Sequence, residues 1–576
     1  MTSSATLQSK PRSGWRIPWT LWRQLFIELG RATLITSLVL VAIVAFAITA
    51  KFFADGKLGP VDTVKFMLLA SVPMLQYALP FAAGFAATMV YYRMSQDNEV
   101  LACYAGGMSR RMILVPALVT GAALMIVLTV LIQSIIPRFL LTMERMAQSQ
   151  VASVIQNAVE QGEGIEFGKL RLYADQVRRL PTGSGEDDPD VRLQLFGVVA
   201  LVLNSEGNVR TDVSARAAVV EIDTDQEDSS GRQGSVVAFS LDDAMVYRDN
   251  FFGLKPAQLD RVVEFIPVAS TDDPKFLTYT ELNHLRDQPD KMNFIRQRSR
   301  DLAYHLGWRE VEMQIADDLK KTGQAVLKAS SEGFRSQTTT VTIHAQRIQW
   351  DQEHMRYRII PPRGESEIGI ERVDGDESPI KMLTKNAWLE ADFGNADVNQ
   401  RNMTLKLGLD DYQVTEDAGL PGARMLQLVI DGLRPKEDPV PGLLDSTAFE
   451  LIAKADPRIN ADPPDSFLIP PTKELKRRIT DLNREIFSKQ HERIAYAAAC
   501  LVMVLAGAAL ALRLKEKLPL VVYLWSFFPA VIAVVTISAG QQMTHQTGTA
   551  GLLLLWGGVA GLLAYTIGSL LTVRAQ

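Results

Sequence analysis

The chain is short of the residues that carry redox and metal chemistry. It has two cysteines, Cys103 and Cys500, and six histidines among 576 residues. Both cysteines lie near or inside apolar runs, so the polar middle of the chain can form no disulfide and must be stabilised by its own core. The histidines of that middle region are His284, His305, His344 and His354. None has the spacing of metal ligands, so no metal site is expected.

Catalytic motifs are missing as well. The sequence contains no Gly-x-x-x-x-Gly-Lys-[Ser/Thr] phosphate loop, no His-Glu-x-x-His and no Cys-x-x-Cys. The formal net charge of −5 is modest, and no basic cluster is interleaved with aromatic residues, which argues against nucleic-acid binding. The chain is therefore expected to be no enzyme and to need no cofactor. If it moves a substrate uphill, another subunit supplies the energy.

Long apolar runs are what the sequence does have. A hydrocarbon core about 30 Å thick needs about 20 apolar residues per helix, and several uncharged runs satisfy this. They are residues 32–50, 66–92, 112–137, 494–512, 518–543 and 550–573. Because unpaired backbone groups cannot lie in lipid, such runs must be helices. The sequence predicts three spans (residues 32–137), a large insertion and three more spans (residues 494–576).

The lysines and arginines of the short loops indicate the orientation. They cluster in residues 1–31, 93–111 and 513–517 and in the C-terminal tail. If six helices cross the membrane in alternating directions, all of these segments lie on the same side of it. We therefore predict a multi-pass membrane protein with both termini in the cytoplasm and residues 1–31 forming a cytoplasmic or interfacial N-terminus. Residues 138–493 are then outside the cytoplasm.

The outside region alternates polar and apolar residues with the two-residue period of antiparallel strands. Residues 138–321 are predicted to form one β domain, and residues 322–471 a second β region or an insertion. In each region the strands are followed by a Thr-x-x-Glu-Leu element, at residues 278–282 and 447–451, which leaves a weak internal repeat open. Residues 472–493 are predicted to form an amphipathic helix that leads directly into the fourth span.

The most informative segment is the charged connector between the second and third runs. Residues 93–111 read Arg-Met-Ser-Gln-Asp-Asn-Glu-Val-Leu-Ala-Cys-Tyr-Ala-Gly-Gly-Met-Ser-Arg-Arg. The connector is too close to the bilayer at both ends to fold as its own domain. A short helix at about residues 94–108 is what a membrane subunit needs if a separate cytoplasmic motor is to grip it. Gly106 and Gly107 would let the chain turn into the third span.

These residues resemble the lipopolysaccharide export permeases, the LptF/LptG family. The resemblance lies in the connector from Asp97 to Ser109, in His491-Glu-Arg493 before the fourth run and in Thr-Gly-Thr-Ala-Gly before the sixth. It implies an α-helical membrane protein with six transmembrane helices (3+3) and a large inserted periplasmic antiparallel β region, jellyroll-like in residues 138–321. It also implies that the connector is a coupling helix that docks on an ATPase. The coupling residues would be Asp97, Glu99, Leu101, Tyr104, Gly106, Gly107 and Ser109.

The same resemblance implies a permease subunit of an ABC transporter that extracts lipopolysaccharide from the inner membrane and passes it to a periplasmic β-bridge. The implied partners are a cytoplasmic ABC ATPase dimer (LptB-like), a second permease subunit of the family and periplasmic bridge proteins (LptC/LptA-like). The stretch from about residue 323 to 471 makes the outside region roughly twice the usual size. Two alternatives therefore stay open: a permease for another lipid or lipoprotein, and a membrane-anchored periplasmic scaffold without transport.

Three lysines of the first outside loop run against the charge rule, Lys51, Lys57 and Lys65, and the candidates for a role beyond topology are Lys51 and Lys65. Cations at a membrane surface attract phosphate by about 1 kcal/mol each, so both could hold a phosphorylated lipid headgroup. The alternative is that they are solvated side chains that snorkel to water. Acyl chains would need an apolar channel, which an open-sided β domain could provide. The sequence does not decide which alternate residues of a strand face this channel, because a shift of one residue in the register exchanges the two faces of the strand.

Overall fold

The structure is a computed structural model of the chain. It describes residues 18–54, 60–148, 159, 162, 164–167, 170–181, 189–203, 209–227, 233–248, 251–267, 273–330, 338–351, 354, 356–374, 378–391, 402–415 and 421–572. Most of the predicted N-terminal segment, residues 1–17, lies outside the described residues.

Long helices dominate both ends of the described chain. The helices are α1 (Trp19–Ala54), α2 (Pro60–Gln96), α3 (Glu99–Ala105), α4 (Arg110–Val130), α5 (Ile136–Gln148), α6 (Tyr279–Asp287), α7 (Asn293–Thr322), α8 (Val440–Leu444), α9 (Ala448–Ile459), α10 (Ile469–Arg513), α11 (Pro519–Thr547) and α12 (Gly551–Thr572). A π-helical turn, Leu131–Ile135, joins α4 to α5. Short 3₁₀ turns lie at Pro274–Phe276, Pro289–Lys291 and Gly548–Ala550.

Five segments of the described chain are long and apolar enough to cross a membrane. They are Trp19–Ala50, Thr63–Gln96, Arg110–Met143, Ile469–Arg513 and Pro519–Thr572. The last segment contains two helices, α11 and α12, which are separated by the turn at Gly548–Ala550 and pack against each other. The predicted helical membrane protein with an inserted antiparallel β region is thereby confirmed.

Helix α10 joins the predicted amphipathic helix to the fourth apolar run without a break. No glycine or proline lies between Thr472 and Ala506, so nothing ends the helix before the apolar residues begin. In its polar half, one row of aliphatic side chains is buried: Leu475, Ile479, Leu482 and Ile486.

Close backbone packing joins α2 to α10 in the membrane core. A Cβ atom placed on Gly507 would collide with the carbonyl oxygen of Gly84 and would lie 2.7 Å from Oγ1 of Thr88. The Thr88 hydroxyl is itself held by the Gly84 carbonyl, to which it donates at 2.8 Å, and by Oγ of Ser526 at 3.1 Å. Small residues let membrane helices approach this closely, so Gly507 marks the tightest point of this crossing.

The first sheet is antiparallel and meanders. Its strands are β1 (Ile165–Phe167), β2 (Leu170–Tyr173), β3 (Gln176–Leu180), β4 (Val191–Leu203), β5 (Val209–Glu227), β6 (Gln233–Arg248) and β7 (Phe251–Pro267). Their order is β1-β2-β4-β5-β6-β7, and β3 also pairs with β4. Val220 and Ile222 of β5 are buried in its core. The register aligns position 239 with Val220 and position 237 with Ile222, and Ala238 between them is itself buried, so the strand face that sequence alone left open stays undecided.

The chain folds as two compact units. The first comprises Met1–Asn283 and Arg484–Gln576 and holds the membrane helices and the first sheet; the second comprises His284–Asn483. This division lies upstream of the predicted domain boundary at residue 321. The physical reason is that Trp308 and Val311 of α7 are buried in the core of the second sheet, so α7 belongs with the strands that follow it.

The second unit contains a sheet that closes on itself. Its strands are β8 (Gln324–Ser330), β9 (Thr338–His344), β10 (Arg347–Asp351), β11 (Arg356–Ile360), β12 (Ile368–Asp374), β13 (Ile380–Ala391), β14 (Leu405–Thr415) and β15 (Pro421–Arg434). The order is β10-β11-β13-β12-β9-β8-β15-β14, and an additional β13–β14 pairing closes the circuit. Leu389, Leu407 and Leu433 are fully buried inside it.

The proline-rich linker after this sheet is anchored to α7 by Arg309. The guanidinium Nη2 lies 2.6 Å from Oδ1 of Asp465, and Nη1 donates to the Tyr357 hydroxyl at 2.9 Å. The same guanidinium lies over the Phe467 ring, 5.0 Å from its centroid. The linker that leads into α10 is therefore fixed to the second unit by charge and by stacking.

The two Thr-x-x-Glu-Leu elements both begin helices. In α9, Thr447 and Glu450 form a reciprocal capping box. At α6, the Glu281 carboxylate accepts from the backbone N–H of Thr278 at 2.7 Å and from its hydroxyl at 2.8 Å. Helix capping selects these residue types at this spacing, which by itself accounts for the shared pattern. The sheets that precede them have different strand orders.

Candidate functional site

Helix α3 forms the predicted connector. Before it, Asn98 takes the left-handed conformation (φ 59°) that asparagine tolerates better than most residues. At its end, Gly107 (φ +81°) donates its N–H to the Tyr104 carbonyl at 2.9 Å, and Met108 donates to the Cys103 carbonyl at 3.0 Å. This is a Schellman cap. Gly107 therefore supplies the turn into α4, whereas Gly106 has an ordinary φ of −76°.

The two faces of α3 differ sharply. Val100 and Cys103 are buried in the core of the membrane helices. Glu99 and Leu101 point to solvent, and Leu101 is 64% exposed although it is apolar. An apolar side chain exposed on a short polar connector is a suitable contact point for a partner.

The remaining predicted coupling residues surround this face. Asp97 and both glycines are exposed. Tyr104 is half-buried, with the Arg110 guanidinium 5.8 Å from its ring centroid. Ser109 is the N-cap residue of α4 but makes no side-chain capping hydrogen bond. The structure thus leaves Asp97, Glu99 and Leu101 exposed at the start of α3, and it places Tyr104 and Ser109 at the junction with α4.

Contacts from distant segments hold the connector in place, and sequence reasoning missed them. Arg93 at the end of α2 forms a 2.5 Å ion pair with Glu28 of α1. Trp22 of α1 donates its indole N–H to the Met112 carbonyl at 3.1 Å. Both contacts tie the ends of α2 and α4 to α1, so a force applied to α3 would reach three membrane helices.

We expect native Cys103 to react with a maleimide roughly tenfold more slowly than a cysteine introduced at exposed Ala105. Cys103 is 7% exposed, and burial together with the Glu99 carboxylate raises the pKa of its thiol. The thiolate is the reactive form, so a raised pKa keeps the reactive fraction low until the pH rises further. The comparison uses Cys103→Ala with Ala105→Cys, in a Cys500→Ala background, and labelling of permeabilised membranes over a range of pH. Equal rates at every pH would contradict the burial of Cys103.

A second feature is an apolar groove of about 640 Å³ between α1, α2 and α4. Its wall is mainly aliphatic, and four hydroxyl groups interrupt it. The lining residues are Gly30, Thr33, Leu34, Ser37, Leu38, Val41, Ala42 and Ala45 of α1, Met67, Leu68, Ser71, Leu75 and Leu79 of α2, and Thr120 and Leu124 of α4. A groove of this composition suits an acyl chain.

The predicted headgroup lysines lie beyond one end of this groove. Lys65 is exposed on α2, two residues before the first α2 residue of the lining, Met67. Lys51 lies on α1, six residues after Ala45, and its side chain lies outside the described residues. Both positions therefore follow the groove toward the same end of the α1–α2 hairpin.

Comparison with known families decides the identity. The model of the lipopolysaccharide export system permease LptF/LptG matches residues 21–308, half of the chain. The chain belongs to the LptF/LptG family. The family assignment suggested by the connector is confirmed, and it makes the chain a transport permease and a multi-pass membrane protein. No curated protein matches the sequence.

The LptF/LptG match covers α1 to α6 and the first sheet. It ends at Trp308, within α7. The second sheet and the last three long helices lie beyond it, and the second unit is thus mostly outside the matched residues.

In this family member the His491-Glu-Arg493 motif lies on α10, at the start of the fourth run. Arg493 is 7% exposed and donates from Nη2 to the Leu277 carbonyl at 2.8 Å. Its Nη1 is buried without a hydrogen-bond partner among the described residues. His491 lies 3.4 Å from the indole nitrogen of Trp556 on α12. Arg493 thereby links the segment that follows the first sheet to a membrane helix.

Proposed function

We propose that the chain is the permease half of an ABC transporter that extracts lipopolysaccharide from the inner membrane and passes it to a periplasmic β-bridge. The observation that carries this proposal is α3, a short helix between the second and third membrane helices whose outward face offers Asp97, Glu99 and Leu101. ATP hydrolysis would take place in a separate cytoplasmic ATPase dimer that grips this face. A second subunit of the family would complete the membrane part.

The way α3 is built supports this role. Its inner residues, Val100 and Cys103, are packed in the membrane core, and its C-terminal turn is closed by backbone hydrogen bonds. A helix held in this way moves with α2 and α4 rather than swinging freely. Motion of the ATPase would thus be transmitted to the membrane helices that line the groove.

The lipid would enter through the groove between α1, α2 and α4. Its acyl chains would contact the aliphatic wall, and Lys65, with Lys51, would attract the headgroup phosphates at the far end. With both termini in the cytoplasm, that end of the groove faces the outer leaflet. The first sheet would then receive the lipid in the periplasm and deliver it to the bridge proteins.

A permease for another lipid or lipoprotein is the second candidate. The observation that favours it is the second unit, His284–Asn483, most of which lies beyond the family match. Mass spectrometry of the lipid that copurifies with the chain and its ATPase separates the two: lipopolysaccharide supports the first proposal, and a different lipid supports the second. A chain that purifies without an ATPase and without bound lipid would contradict both.

A photo-reactive amino acid at Leu38 should capture lipopolysaccharide, and the yield should change when ATP is added. Leu38 is exposed and lines the groove. The matched control is Ile532 on α11, which is similarly exposed but does not line the groove; we expect it to capture only bulk phospholipid. The products are read by immunoblot for lipopolysaccharide. Equal capture at the two positions, independent of ATP, would exclude the groove as the lipid path.

A further inference from the structure

A smaller pocket of about 240 Å³ opens between the ends of three membrane helices, next to α3. Arg110 and Arg111, from the first turn of α4, form its polar side. The rest of the wall is aliphatic and comes from α4, α10 and α12, including Leu114, Leu512 and Ile567. Among the described residues that line it, none is acidic. The proposed coupling mechanism makes no use of this pocket.

We propose that the pocket binds one anionic phospholipid of the adjoining leaflet. Guanidinium groups bind phosphate through paired N–H donors, and basic pockets between membrane helices bind anionic headgroups. The charge of the pocket selects an anion, and its aliphatic side selects a ligand with an attached acyl chain. A soluble anion would leave that side in water, and a zwitterionic headgroup would bring the two arginines no net negative charge.

A lipid bound in this pocket would act on the connector, because the pocket adjoins the end of α3. Arg110 lies over the ring of Tyr104 at the end of α3, with 5.8 Å between guanidinium and ring centroid. A phosphate held by Arg110 therefore restrains the corner between α3 and α4. The lipid would stabilise the geometry in which the outer face of α3 is presented.

The test is native mass spectrometry of the purified full chain in micelles with equal amounts of phosphatidylglycerol and phosphatidylethanolamine. We expect the wild type to retain phosphatidylglycerol preferentially. Because each cation contributes about fivefold to attraction of an anionic lipid, the double variant Arg110→Gln, Arg111→Gln should lose the preference by about 25-fold. Arg23→Gln is the matched control, since Arg23 is an exposed arginine on α1 that does not line the pocket; it should leave the preference unchanged.

A second variant separates the pocket from general surface charge. Leu571 is exposed, lies at the end of α12 and lines the pocket, so Leu571→Trp fills the aliphatic side while both arginines remain. It should also lower phosphatidylglycerol retention, by several-fold. The proposal is overturned if the wild type shows no preference, if the double variant keeps it, or if Arg23→Gln lowers it as much as the double variant does. It is also overturned if Leu571→Trp, eluting as a monodisperse protein, retains the lipid as the wild type does.

Discussion

Membranes that carry Glu99→Arg should lose their ATPase and should export no lipid. An exposed ion pair is worth only about 0 to 1 kcal/mol, but removing one partner of a charge pair in a desolvated interface costs roughly 2 to 5 kcal/mol. At 1.4 kcal/mol for each tenfold change in affinity, this is a loss of about 30- to several thousand-fold. Glu99 is exposed at the start of α3, so the substitution should act on docking and leave the fold intact. The measurements are copurification of the ATPase and a lipid export assay.

The matched control for this variant is Glu365→Arg. Glu365 is an exposed carboxylate in the turn between β11 and β12 of the second unit, and reversing its charge should leave ATPase association unchanged. The coupling-helix proposal fails if Glu99→Arg membranes retain the ATPase and full export. It also fails if Glu365→Arg is equally defective, because the loss would then reflect charge in general.

The substitution Gly507→Val should prevent the membrane helices from packing. Its side chain would meet the backbone carbonyl of Gly84 and the hydroxyl of Thr88, which is already bonded to that carbonyl. Neither backbone can move aside without separating α2 from α10, so the cost should be roughly 3 kcal/mol or more. We expect little folded protein in detergent extracts, measured by size-exclusion chromatography and thermal unfolding.

Gly557→Val provides the comparison. Gly557 lies in the middle of α12, and an added Cβ there would meet no atom of the described chain within 4 Å. Both variants place a β-branched residue in a membrane helix, so a difference between them isolates the packing against α2. Gly557→Val should yield normal amounts of folded protein. Similar losses for the two variants would indicate that the α2–α10 crossing is not the cause.

The membrane part of the fold was predictable because its determinants are local. A run of uncharged residues long enough to cross lipid must be a helix, whatever its neighbours are. The connector was recognisable for the same reason, since its charges and glycines interrupt two such runs. The family match now confirms the assignment that the connector suggested.

The limits of local reasoning are visible at the connector itself. The two glycines look equivalent in sequence, yet only Gly107 takes the left-handed conformation, and Cys103 turns out to be buried beside exposed Ala102. Which residue of a seven-residue helix faces the core depends on the helices it packs against. The site residues Asp97, Glu99, Leu101, Tyr104, Gly106, Gly107, Ser109, Lys51 and Lys65 stay predictions that the proposed variants test.

The sequence by itself determined that the chain crosses the membrane, that antiparallel strands are inserted between two sets of spans, and that a charged connector separates the second span from the third. Each of these features follows from residues that are adjacent in the chain. Their periodicity and polarity determine the local secondary structure in water or in lipid. Tertiary structure decided the crossing at Gly507, the grouping of α7 with the second sheet, the groove between α1, α2 and α4, and the pocket at Arg110. These depend on side chains far apart in sequence, which meet only when the apolar faces of different elements are buried together.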